Sequence, residues 1–191
     1  MKIVHLTATL RSGGAERQLV ETLKFFKKTD DITCEVVVMS DVIHYDYIED
    51  MNIKIHQIIR KANKDLSIFL KFYHLFRESK PDLIHSWHSM CSMYAIPAAK
   101  LLGIKLVNNS LRNAPKYQNE KDLKWHITRM TFPFSDVIAA NSYAGLDAYN
   151  VPRKKKHVFT MGLIFQEQRM LLKKKRSESY LIFIQNTWWV W

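Results

Sequence analysis

Four short stretches hold the side chains that can do chemistry. The first is Ser12-Gly13-Gly14-Ala15-Glu16-Arg17, two glycines running straight into a segment of helical period. Such a loop presents bare backbone N–H groups and the positive end of a helix dipole, which suits an anion such as a diphosphate. Gly13, Gly14 and Arg17 are therefore candidates for holding phosphate; a tight strand-to-helix turn that needs glycine is the alternative. The pattern is not G-x-G-x-x-G, and no acidic residue closes a second strand at the ribose position. Asp41, just beyond that strand, is the nearest, which argues against a nicotinamide dehydrogenase.

The second stretch contains His85, His88 and Cys91, three possible metal ligands within seven residues. His85 ends a strand, His88 begins the next turn and Cys91 faces a core, so the three need not converge, and a fourth ligand is missing. No metal site is expected. Two readings stay open: a histidine reaching a hydroxyl or phosphate in a cleft, or a structural histidine. The third stretch is Asn108-Asn109-Ser110-Leu111-Arg112-Asn113, in which Asn109 and Arg112 can hydrogen-bond a hydroxyl or a phosphate. The fourth is Asn141-Ser142. Tyr117 and Trp125 either line a groove or simply pack. There is no nucleophile elbow and no Walker loop.

The elements that must position these residues alternate. Residues 2–7 read as a buried strand, and 15–27 as a helix with Leu19, Val20, Leu23 and Phe26 on one stripe. Strands at 32–39 and 53–58, a helix at 66–78 and a strand at 82–87 follow, with Pro81 punctuating the start of the last. A helix at about 90–102, closed by Gly103, precedes a strand at 105–109, a helix at 121–130, a strand at 136–140 and a short helix at 142–149. Strands separated by helices imply right-handed parallel crossovers, so the expected fold class is α/β: a doubly wound, mostly parallel sheet with helices on both faces. Ligands in such a sheet gather at the carboxyl ends of strands, where all four stretches lie.

One domain over residues 1–162 is expected, with 163–191 a basic tail ending in Trp188, Trp189, Val190 and Trp191. The tail reads as a truncation or frameshift product, and an interfacial anchor is the alternative. The net charge of +11 is concentrated in Arg153, Lys154, Lys155 and Lys156 and again in Lys173, Lys174, Lys175 and Arg176. These runs are solvated surface, or they meet an anionic membrane; nucleic acid is not expected. Cys34 and Cys91 do not make a disulfide framework, and no signal-peptide core or roughly 20-residue apolar span interrupts the chain, which points to the cytoplasm.

Three ordered segments resemble retaining GT-B glycosyltransferases of the family 4 type. They are Lys2-Ile3-Val4-His5-Leu6 with Gly13-Gly14-Ala15-Glu16-Arg17, then Lys80-Pro81-Asp82-Leu83-Ile84-His85-Ser86, then Ser135-Asp136-Val137-Ile138-Ala139-Ala140-Asn141-Ser142, followed by Gly145-Leu146 and Tyr149-Asn150-Val151-Pro152. The resemblance implies the N-terminal, acceptor-side half of a GT-B fold, with Gly13, Gly14 and Arg17 near the donor phosphates. It puts His85, His88, Asn109, Arg112, Asn141 and Ser142 on the acceptor side. No histidine stands at 108–113, where many members have one, so the catalytic residues stay unassigned. A nucleotide sugar is the implied co-substrate, no resident cofactor is implied, and the implied acceptor is a glycan or a lipid-linked glycan in cell-surface polysaccharide synthesis, with peripheral work at the inner face of the membrane. The E-x7-E pair of the donor-binding domain is absent, and Val158-Phe159-Thr160-Met161-Gly162 resembles the interdomain linker with Met161 in place of asparagine. The chain is therefore expected to be inactive alone, with a separate chain as one source of the missing domain. A non-catalytic, anion- or membrane-binding α/β module is the rival reading.

Overall fold

The computed structural model describes residues 1–11, 13–41, 48, 51–60, 65–111 and 123–158. Arg112, Tyr117, the second basic run and the Trp-ended tail lie outside them.

Strand β1 (Lys2–Thr7) runs through the middle of the sheet, and from Ile3 to Thr7 it is almost wholly buried. It needs its near-continuous apolar sequence because it is covered on both faces. It pairs in parallel with β2 (Thr33–Val38) on one side and β4 (Leu83–Ser86) on the other. Outward from these lie β3 (Lys54–Gln57) at one edge and β5 (Lys105–Leu111), β6 (Val137–Ala140) and β7 (Lys156–Val158) toward the other. All seven strands are parallel, in the order β3-β2-β1-β4-β5-β6-β7.

That order dictates where the helices go. A right-handed crossover that moves one way along the sheet must pass over one face, and a crossover moving the other way over the opposite face. Helix α1 (Gly14–Lys27) leads from β1 to β2 and packs Leu19, Val20 and Leu23 against Val36 and Val38, and Phe26 against Ile3. The chain then reverses direction, and α2 (Ser67–Ser79) and α3 (Ser89–Leu101) cover the other face. There Phe72, Phe76, Tyr94, Ala95 and Ala99 meet Val4, Leu6, Ile84 and Leu106. Helix α4 (Leu123–Met130) packs on α3, and α5 (Tyr143–Ala148) buries Leu146 against Ile138 and Ala140. Pro97 lies inside α3 on its exposed side, where water can serve the carbonyl its missing N–H leaves open. No helix among the described residues is long and apolar enough to cross a membrane.

Two aspartates pin the register at the amino end of the sheet. Asp82, just before β4, accepts from the Lys2 backbone N–H at 2.7 Å, and its own N–H donates to the Lys2 carbonyl at 2.9 Å. Asp136, just before β6, repeats the arrangement on Leu106 with 2.8 and 2.9 Å bonds. Nearby, Glu35 is buried against the Lys2 ammonium at 2.6 Å, His56 Nε2 at 2.9 Å and the Ser79 hydroxyl at 2.8 Å. Burial opposes its charge, but the hydrogen bonds from Lys2, Ser79 and His56 and the Lys2 charge outweigh it and hold the carboxyl below its ordinary range.

The expected strands and helices fall within a residue or two of those observed, except for β7 and the 3-10 turn Arg153–Lys155 before it, neither of which the sequence reading contained. Half of the first basic run, read as solvated or partner-facing surface, also has partners within the fold. Lys155 Nζ donates to the carbonyls of Phe132, Pro133 and Ser135 at 3.0, 2.8 and 2.7 Å, gathering the turn that leads into β6. Lys156 is ion-paired with Asp147 at 2.5 Å. Of that run, Arg153 and Lys154 are exposed and Lys155 and Lys156 half-buried.

Candidate functional site

Because the chain leaves β1 in one direction and β4 in the other, the loops at their carboxyl ends diverge and leave a crevice, the topological switch point where open α/β sheets bind ligands. One wall is the segment from Ala8 into α1. Gly13 is the residue before the helix, Gly14 its first residue and exposed, and Arg17 projects from the first turn into solvent. Glu16, in the same turn, is buried and accepts from Thr9 Oγ1 at 2.7 Å.

The other wall is the Trp87-His88 turn between β4 and α3. His88 occupies the N-cap position of α3 but makes no side-chain cap bond. Instead its Nδ1 accepts from the Ala8 backbone N–H at 3.2 Å and lies 3.4 Å from Thr7 Oγ1, whose own bond to the Thr9 carbonyl is shorter at 2.8 Å. The ring thus bridges the crevice floor, and an accepting Nδ1 assigns the ring proton to Nε2.

Beneath this floor, on the α1 face, lies a buried stack of rings. His5 and His85 are register partners on β1 and β4 with centroids 5.2 Å apart, and Trp87 stacks on His85 at 4.7 Å. Trp87 Nε1 donates to His5 Nδ1 at 3.3 Å, and Asn109 Nδ2 lies 3.2 Å from His85 Nε2. His5 is fully buried, its Nε2 meets no hydrogen-bond partner, and desolvation pushes its pKa down to about 3, so it is neutral. On the opposite face a chain of polar side chains joins α3, β5 and α4. Ser89 Oγ lies 3.0 Å from Ser110 Oγ and 2.9 Å from Thr128 Oγ1, Ser110 donates to Asn108 Oδ1 at 2.7 Å, and Asn108 Nδ2 reaches Thr131 at 2.8 Å.

The sequence-derived candidates are thus sorted by depth. Gly13, Gly14, Arg17 and His88 border the crevice. His85 and Asn109 come together, but below it, each 5% exposed. Asn141 is half-buried at the end of β6, and Ser142 caps α5, accepting from the Gly145 N–H at 3.2 Å. Trp125 packs inward beneath Arg129, whose guanidinium carbon lies 4.4 Å from the ring centroid. Cys91 is buried beside Met39 and its thiol is pushed up to about 12 by burial. Among the described residues no three His, Cys, Asp or Glu side chains gather as metal ligands. Sequence reasoning missed His5, Thr9 and Trp87. A histidine inside an apolar strand is the one signal that pointed to the first; Thr9 and Trp87 matter only through partners distant in space or sequence.

A family model described as Glycosyltransferase Family 4 matches residues 12–162. No curated protein matches the chain significantly. Among solved structures, HepE of Anabaena in complex with UDP superposes with a TM-score of 0.70 at 19% identity, covering 85% of this chain and 44% of that one. WaaB, a lipopolysaccharide outer core galactosyltransferase, gives 0.67 at 17%, covering 87% and 47%. A UDP-GlcNAc 2-epimerase from Neisseria meningitidis bound to UDP-GlcNAc gives 0.62 at 17%, covering 83% and 46%. The chain spans less than half the length of each, and at these identities the likeness is one of fold.

Proposed function

The chain belongs to Glycosyltransferase Family 4 and has the fold of the N-terminal half of a GT-B glycosyltransferase; from that premise we propose that it forms the acceptor-side wall of a retaining sugar transferase. In the proposed reaction the donor's anomeric carbon–oxygen bond to the diphosphate breaks while an acceptor hydroxyl bonds to that carbon from the same face. The hydroxyl proton leaves with the diphosphate. The main demand is stabilisation of the departing charge, and in this reading Gly13, Gly14 and Arg17 stand on the diphosphate side and His88 on the acceptor side.

The observation that carries the reading is the contact at the switch point between His88, inside the stretch the family match covers, and the Ala8 N–H just upstream of it. The fold alone does not select transfer, since a 2-epimerase shares it; the family match does. The reaction takes a nucleotide sugar as co-substrate and a glycan or lipid-linked glycan as acceptor, in cell-surface polysaccharide synthesis at the cytoplasmic side of an anionic membrane. A donor-binding domain, on another chain or in further sequence, faces the crevice and supplies most of the charge stabilisation.

The test is transfer from labelled nucleotide sugars to membrane-extracted acceptors, with this chain alone and with a family 4 donor-binding domain added in trans. Transfer in the mixture only, abolished by His88→Ala, is expected. Turnover by the chain alone overturns the division of labour. Salt-sensitive vesicle binding with no affinity for nucleotide sugars or glycans in either sample overturns the transferase reading in favour of a binding module.

A further inference from the structure

Gly13 has no backbone reason to be glycine. Its φ of −154° and ψ of 164° are extended values that any residue adopts. What excludes a side chain there is space: a Cβ would fall well inside contact with Glu16 Oε2 and 3.1 Å from Glu16 Cδ, and its three nearest atoms all belong to that carboxylate. Gly14, the next residue, has open space at the same position. Glu16 is not a loose surface chain that can swing aside. It is 8% exposed, and its Oε1 is bonded to the Thr9 hydroxyl at 2.7 Å.

We propose that Glu16 is a positioning residue: its carboxylate folds back over the first turn of α1, fills the place of the side chain Gly13 lacks, and latches the β1–α1 loop to the helix through Thr9. Gly13 is then required by an internal anion and not by direct approach of a ligand. The carboxylate sits near the positive end of the α1 dipole, which favours it there, and the latch fixes the outline of one crevice wall. This deepens the crevice-wall role proposed above, but its test reads the loop and not sugar transfer, so the two fail separately.

The experiment uses the full chain with Gly13→Ala, Glu16→Ala, Glu16→Gln and the Gly13→Ala/Glu16→Ala double variant. Two quantities are measured: urea unfolding, and the rate of native-state trypsin cleavage after the exposed Arg11. An alanine at 13 displaces the carboxylate from Thr9, so Gly13→Ala and Glu16→Ala each raise the unfolding constant about tenfold, the loss of a buried charged hydrogen bond. Each also speeds cleavage after Arg11 several-fold. The double variant matches Glu16→Ala alone, because the alanine then has nothing left to displace. Glu16→Gln, which keeps an acceptor for Thr9, stays within about threefold of wild type. A double variant about a hundredfold less stable, the sum of two independent losses, overturns the proposal, as does a Glu16→Ala chain cleaved at the wild-type rate.

Discussion

Lowering the pH from about 7.5 to about 4.5 is expected to remove about 3 kcal/mol of stability through one residue, His5. In the unfolded chain His5 takes up a proton near 6.5, whereas in the fold complete burial holds it down to about 3. Between these values the unfolded state binds one more proton than the native state, so stability is complete above about pH 6.5 and falls by about 1.4 kcal/mol per pH unit below it. The structure leaves the ring no route to solvate its charge. Phe26, His85 and Trp87 surround it, its Nδ1 already accepts from the Trp87 indole, and its Nε2 meets no hydrogen-bond partner. Urea unfolding at half-unit pH steps, followed by tryptophan fluorescence, measures the slope. The control is His5→Asn, whose side-chain oxygen can replace Nδ1 as acceptor for Trp87 but does not titrate. Subtracting its curve cancels the other histidines, including half-buried His157, whose pKa is also lowered by burial. A wild-type midpoint that stays flat over the interval, or a His5→Asn chain with the same slope, refutes the burial of a neutral ring at this position.

Three other outcomes follow from the same structure. Lys155→Met strips three carbonyls of their shared donor and should cost about 2 kcal/mol in urea unfolding; a neutral result would mean water replaces the ammonium. Asp136→Ala should cost about 1–3 kcal/mol by orphaning the part-buried Leu106 N–H, and Asp82→Ala about 0.5–1.5 kcal/mol, because water can reach the exposed Lys2 N–H. Because they act on different strand pairs, the double variant should add within about 0.5 kcal/mol, and strong coupling would show that the two pins are not independent. Glu35, held below its ordinary range by Lys2, Ser79 and His56 against its own desolvation, contributes stability that is present above about pH 4.3 and lost as pH falls through its lower folded value. Glu35→Gln should therefore be less stable near neutrality and show a shallower acid limb below about pH 4, and an unchanged limb would count against the assignment.

The alternation of strand and helix was readable because its signals are local. Leu19, Leu23 and Phe26 share a stripe, Gly103 turns left-handed at φ 68° just past α3, and Pro81 marks the entry to β4. What escaped has partners elsewhere. Strand β7 is three residues, Lys156-His157-Val158, with no apolar alternation, and it exists only because β6 offers an edge. Asp82 and Asp136 sit inside segments read for their family likeness, yet each holds a backbone N–H that is 80 or 30 residues away. In the candidate site, the stretches themselves were legible as loops after strands, but depth was not. Nothing in the order of residues says that His88 meets Ala8 while His85 meets Asn109; the β4 pleat turns the second, and the β4–α3 turn places the first.

The two outer strands have a bearing on how the chain behaves in company. A parallel sheet left open at both ends invites edge-to-edge addition of further strands, the first step toward aggregates. Here one end of the described sheet is β3, four residues carrying Lys54, His56 and Gln57, and the other is β7, which begins with Lys156. A short, polar margin such as β3 gives an incoming strand few ladder bonds, and at both margins it would have to desolvate a lysine. Margins of this chemistry disfavour strand addition while the sheet's centre stays as apolar as its core demands.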